Sequence, residues 1–174
     1  MAKDPSPSPA EPGPHRWFVV ANGSRARAYV QRIGSPGYDV LREWDAPEAR
    51  MSSADLGEDR PGRVFASAGV SQRSGIEPET PEASPKGQAQ RDFLHQLVED
   101  LTQALRRKEL SGLYLAAPAP LLHRLQDMMP TDLRQALIGR QAGDFTQRPT
   151  ADVFELLDTL RRESERIGCI PRAQ

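Results

Sequence analysis

The chain has 174 residues, 37% of them hydrophobic, with 23 basic against 24 acidic side chains and a net charge of −1 when histidines are neutral. That length suits one domain with tails rather than two full domains, and the apolar share is enough for a core. The charge balance excludes attachment to nucleic acid or membrane by bulk positive charge, so any such contact must be local. Cys169 is the only cysteine, which excludes an intramolecular disulfide and a multi-cysteine zinc site and suits a reducing compartment.

Met1–Pro14 holds five prolines among Ser, Ala and charged residues and has no apolar run of signal-peptide length. It reads as a disordered tail. Nothing later reaches the roughly 18 consecutive apolar residues of a membrane helix, so the expectation is a cytoplasmic protein without membrane insertion. Trp17–Ala21 is a short apolar strand, ended by Asn22-Gly23, a dipeptide that tolerates the positive φ of a tight hairpin. The second strand, Arg25–Arg32, alternates Ala26, Ala28 and Val30 with Arg25, Arg27, Tyr29 and Gln31. One face can therefore be buried while the other meets solvent or a partner. After Gly34-Ser35-Pro36-Gly37 a third strand, Tyr38–Asp45, is predicted. Tyr38, Val40 and Trp44 share one parity there, and Asp39, Glu43 and Asp45 lie mostly on the other.

From Ala46 to Gly87 periodicity vanishes, the mark of a functional or disordered loop. It returns at Gln88, where Phe93, Leu94, Leu97, Val98, Leu101, Ala104 and Leu105 mark one side of a helix running to about Lys108, with Ser111-Gly112 as its stop. Leu113–Ala117 reads as a buried strand. Pro118-Ala119-Pro120 can open a helix carrying Leu121, Leu122, Leu125, Met128 and Met129, because proline is tolerated in the first turn. Thr131-Asp132 caps a short helical turn, and 136–140 is a candidate last strand. Thr150 caps a final helix with Val153, Leu156, Leu157 and Leu160 inward. The expected fold class is α/β: a mixed sheet that opens with an antiparallel three-strand meander and is packed by helices. The single domain spans 15–163, with a long loop at 46–87 and a C-terminal tail at 164–174.

The run Trp17-Phe18-Val19-Val20-Ala21-Asn22-Gly23-Ser24-Arg25-Ala26-Arg27, the stretch Asp55-Leu56-Gly57-Glu58-Asp59-Arg60-Pro61-Gly62-Arg63-Val64-Phe65, and Arg73-Ser74-Gly75 resemble a bacterial family of host-attachment proteins. The resemblance runs to about Leu160. It implies an RNase H-like α/β fold similar to the middle domain of archaeal and eukaryotic peptide-chain release factors, in which a Gly-Gly-Gln loop precedes a long helix. Here Lys86-Gly87-Gln88 stands before the long helix. Lys86 occupies the place of the first glycine, and its Cβ disfavours the positive φ that the loop needs. Coincidence or helix-start chemistry accounts for Gly87-Gln88 more readily than catalysis does.

Other chemistry finds little footing. Trp17–Ala21 lacks the aspartate that an RNase H-like nuclease places in its first strand to hold metal. Asp55, Glu58 and Asp59 are followed at once by Arg60 and Arg63 and read as a self-neutralising loop rather than a cation site. His15, His95 and His123 pair with no nucleophile in sequence. No metal or cofactor is expected. Arg25, Arg27 and Tyr29 share a strand face, and Arg60, Arg63, Arg73 and Arg91 surround the loop. Together they offer phosphate contacts and an aromatic stacking platform, or else a solvated surface. The expectation is a non-enzymatic protein that binds the ribosome, RNA or a protein partner through its long loop. One alternative is a peptidyl-tRNA hydrolase acting through Gln88; another is an interaction protein that influences cell attachment indirectly.

Overall fold

The computed structural model describes residues 15–32, 36–50 and 84–168. The expected tail Met1–Pro14, residues 51–83 of the expected loop, and Cys169 lie outside the described residues. Five strands, β1 His15–Ala21, β2 Arg25–Gln31, β3 Tyr38–Asp45, β4 Leu110–Ala117 and β5 Leu137–Ala142, form one sheet in the order β3-β2-β1-β4-β5. The β1/β2 and β2/β3 pairs are antiparallel, whereas β1/β4 and β4/β5 are parallel. The sequence-derived α/β class with an opening meander is therefore the observed one. Among the described residues the helices are α1 Pro85–Arg106, α2 Ala119–Met128, α3 Thr131–Gln135 and α4 Thr150–Gly168, and a 3-10 turn spans Pro47–Ala49.

β1 and β4 take the centre because their apolar runs offer both faces for burial, as strands covered on two sides must. On one face Trp17, Val19, Ala21, Leu113 and Leu115 meet Leu94, Leu97, Leu101 and Ala104 of α1, with Leu122, Leu125 and Leu133 of α2 and α3 closing the layer. On the other face Phe18, Val20, Tyr29, Tyr38 and Tyr114 meet Val153, Leu157 and Leu160 of α4. Phe18 stacks on Tyr114 with ring centroids 4.5 Å apart and meets Tyr38 edge-on at 5.1 Å. The Tyr38 hydroxyl donates to Asp158 Oδ1 at 2.8 Å. Burial, followed by this bond to a carboxylate, raises the hydroxyl's pKa above the usual tyrosine value.

Several expectations are corrected. The parity assigned to the third strand fails in its middle. Arg42 faces Ala28 while Val40 faces Tyr29, so Leu41 is an extra residue, a β-bulge. Tyr38 consequently points to α4 and Trp44 to α1. The β1–β2 turn does not use positive φ at Asn22 or Gly23. Instead the Asn22 side-chain oxygen accepts from the backbone N–H of Ser24 at 3.0 Å and of Arg25 at 2.9 Å. Glycine suits position 23 for another reason: a Cβ there would push aside the end of the Gln90 side chain of α1. α1 starts at Pro85, three residues before the expected Gln88, because Ser84 Oγ caps Gly87 N–H at 3.1 Å and proline suits the first turn. It ends at Arg106, two residues short of the expected Lys108, and Ser111-Gly112, expected as its stop, lies within β4. β1 opens at His15, two residues before the expected Trp17, and α4 runs to Gly168, into the segment expected to be the C-terminal tail.

Candidate functional site

The last residues of β1 and β3 and the first of β2 meet at the end of the sheet where α1 begins, as the contact of Gln90 with Gly23 shows. Antiparallel pairing sets Arg25 opposite Asp45 and Arg27 opposite Glu43 on the face shared with α4. Directly opposed strand residues lie close enough for their side chains to interact. Arg25 Nε stands 3.2 Å from Asp45 Oδ1, and Arg27 Nε stands 2.5 Å from Glu43 Oε1. Arg50, just beyond the 3-10 turn, grips the same Asp45 with two nitrogens, at 2.6 and 3.0 Å. The Arg50 bonds, opposed next by desolvation and then joined by the Arg25 bond, hold the Asp45 carboxyl below its ordinary pKa. Tyr29, followed by Glu43, keeps Arg27 firmly in its charged form despite partial burial.

Beside this ladder opens a cleft of about 330 Å³ lined by Arg25, Arg27, Tyr29, Glu43, Asp45 and Thr146. Its wall is fixed by a second polar cluster. Asn22 Nδ2 donates to Thr146 Oγ1 at 2.7 Å, and Thr146 donates to Asp144 Oδ1 through its hydroxyl at 2.7 Å and its backbone N–H at 3.0 Å. Asn22 thus closes the β1–β2 turn with its oxygen and ties that turn to the β5–α4 connection with its nitrogen. Partial desolvation opposes ionisation of Asp144, but the Thr146 and Asn22 donors outweigh it and lower the pKa.

Of the residues singled out in the sequence, Arg25 and Arg27 come together here. Tyr29 lies beneath them but is only 3% exposed, its ring edge-on to Phe154 at 6.1 Å. It cannot serve as a stacking platform, because α4 covers it. Arg91 belongs to α1 and lines a different groove, on the other side of the sheet. Arg60, Arg63 and Arg73 lie outside the described residues. Gly87 and Gln88 sit inside the first turn of α1, and the Gln88 side chain donates to Asp92 Oδ1 at 2.9 Å. Glu43, Asp45, Arg50, Asn22 and Thr146 were not singled out as site residues. The facing of arginines and carboxylates across the meander was a usable signal for the first two.

Among the described residues no three His, Cys, Asp or Glu side chains gather as a metal would require, and no helix is long and apolar enough to cross a membrane. Residues 17–157 match the family described as "Protein required for attachment to host cells". The chain belongs to this host-attachment family. No curated protein matches it. Solved structures similar to this host-attachment chain include an archaeal translation termination factor, with a TM-score of 0.41 and 10% identity over 86% of this chain and 39% of that one. An archaeal protein aligns with a TM-score of 0.39 and 11% identity over 88% and 40% of the two chains. The chain spans about two fifths of the length of these structures.

Proposed function

We propose that this host-attachment-family chain is a non-enzymatic interaction protein that binds a protein partner through the charged cleft on β2 and β3, assisted by the 46–87 connection. The observation that carries this reading is the cross-strand pairing of Arg25 with Asp45 and of Arg27 with Glu43. A nucleic-acid phosphate would have to displace a carboxylate already seated on each arginine and approach two negative charges. A protein surface of mixed sign can instead complement the alternating ladder, which favours specificity and register. The described ends of the connection support its part in the contact: Arg50 is bound to Asp45, and α1 starts beside the β1–β2 turn.

The non-enzymatic part rests on Gln88, whose backbone is helical and whose side chain is engaged by Asp92, unlike a glutamine presented on a flexible glycine loop. We also assign the sheet to the RNase H-like class, on its strand order and its antiparallel second strand. The β1 sequence carries no carboxylate for a metal-dependent nuclease.

The test is affinity capture from the native cell, with and without nuclease, using the intact protein, Arg27→Glu, and the exchanged pair Arg27→Glu with Glu43→Arg. A nuclease-resistant protein partner lost with Arg27→Glu, and not recovered by the exchanged pair, supports the reading. Capture that vanishes on nuclease treatment favours RNA, and capture indifferent to both variants rules out the cleft.

A further inference from the structure

On the side of the sheet opposite the charged cleft, α1 and α2 enclose a second groove of about 290 Å³. Helical spacing builds it. Gly87, Arg91 and His95 follow one another at four-residue steps on α1, with Leu94 beside them, while Arg124, Asp127 and Met128 share one face of α2. Leu94 is buried and Met128 half-buried, so the floor is apolar, and the charged groups stand exposed around it. Two guanidiniums and an imidazole face one carboxylate. That rim favours an anion, and the floor favours a hydrocarbon or aromatic body.

We propose that this groove binds a small amphiphile with one anionic head, carboxylate or phosphate, and a short apolar tail. Arg91 and Arg124 would clasp the head, since guanidinium matches both oxyanions through paired N–H donors. Neither arginine is idle in the structure, so binding exchanges an existing interaction for the ligand's. Leu94 and Met128 would receive the tail, and the polarizable, unbranched methionine adapts to different shapes. The volume lies at the lower edge of the roughly 300–1,000 Å³ typical of small-molecule pockets. This favours a compact ligand over a macromolecular surface. The site shares no lining residue with the β2–β3 cleft, so it stands or falls independently of the partner-binding reading.

Octanoate, octyl phosphate, octylamine and inorganic phosphate, titrated into the full chain while the Leu94 methyl resonances are followed by NMR, provide the test. Saturable shifts are expected with octanoate, octyl phosphate or both, and the tighter of the two identifies the head group. Arg124→Glu should weaken binding at least about tenfold, the scale of one lost hydrogen bond to a charged group. Met128→Glu, which places a negative charge on the floor and leaves both arginines in place, should weaken it as well; a retained wild-type Tm shows that each variant is folded. Equal binding of octylamine, inorganic phosphate binding as tightly as the amphiphiles, no saturable shift with either anionic amphiphile, or affinity unchanged in both variants would overturn the proposal.

Discussion

Trp44 of the edge strand β3 donates its indole N–H to Asp100 Oδ2 of α1 across 2.7 Å. The same carboxylate, only 11% exposed at its side chain, meets Arg42 Nη2 at 2.9 Å and accepts from Gln96 Nε2 at 3.2 Å. Arg42 also lies over the Trp44 ring, 5.2 Å from its centroid. The clamp depends on the bulge at Leu41, which turns Arg42 and Trp44 toward α1. Asp100→Ala should therefore destabilise the fold by about 1–3 kcal/mol, because the indole N–H loses its acceptor in a partly buried place. Asp100→Asn, which keeps an acceptor oxygen, should cost less. Urea unfolding of the two variants checks the order; equal losses would mean that the charge, not the acceptor, matters.

Gly23 and Gln90 form a steric pair between the β1–β2 turn and α1. Gly23→Ala forces the end of a flexible side chain aside, an overpacking cost of about 1 kcal/mol. Adding Gln90→Ala should restore most of the lost Tm. Strict additivity of the two changes would show that the contact is not the cause.

Lys108 has φ 61°, with its N–H bonded to Leu105 O at 3.0 Å and the Glu109 N–H bonded to Ala104 O at 3.0 Å. This is a helix-ending turn that normally carries glycine at the left-handed position. Lys108→Gly should raise stability by up to about 1 kcal/mol, the relief of the Cβ clash less the added freedom of the unfolded chain. Guanidinium unfolding measures it, and a destabilised variant would contradict the assignment.

Asp144 has a lowered pKa in the folded state, so its ionised form contributes stability above the ordinary aspartate pKa, and that contribution is lost as pH falls through the depressed value. Asp144→Asn should narrow the stability difference between neutral and acid pH. Urea midpoints across an acid series test this; curves parallel to wild type would show that Asp144 titrates alike in both states.

The purified protein should not release labelled peptide from programmed ribosomes. Gln88 is held in the first turn of α1 by backbone geometry and by Asp92, and helical residues present side chains rather than a bent glycine loop. Robust release by the wild type, abolished in Gln88→Ala, would reverse the non-enzymatic reading.

What the sequence determined by itself was local. The apolar runs of β1 and β4, the alternation in β2, the 3.6-residue stripe of α1 and the prolines and threonine that open the later helices marked the elements in order, because burial leaves a periodic trace along the chain. The third strand was legible to both of its ends, Tyr38 and Asp45.

Only the tertiary structure decided which faces those residues share. A single extra residue at Leu41 reverses the side to which Tyr38 and Trp44 point, and nothing in the strand's own pattern marks a bulge that exists only against β2. The sheet seated Arg25 and Arg27 against Asp45 and Glu43, α4 covered the Tyr29 ring, and the helical layer separated Arg91 from the arginines of β2. Each of these depends on register and on which layer covers a face, contacts between residues far apart in the chain that no short sequence window contains.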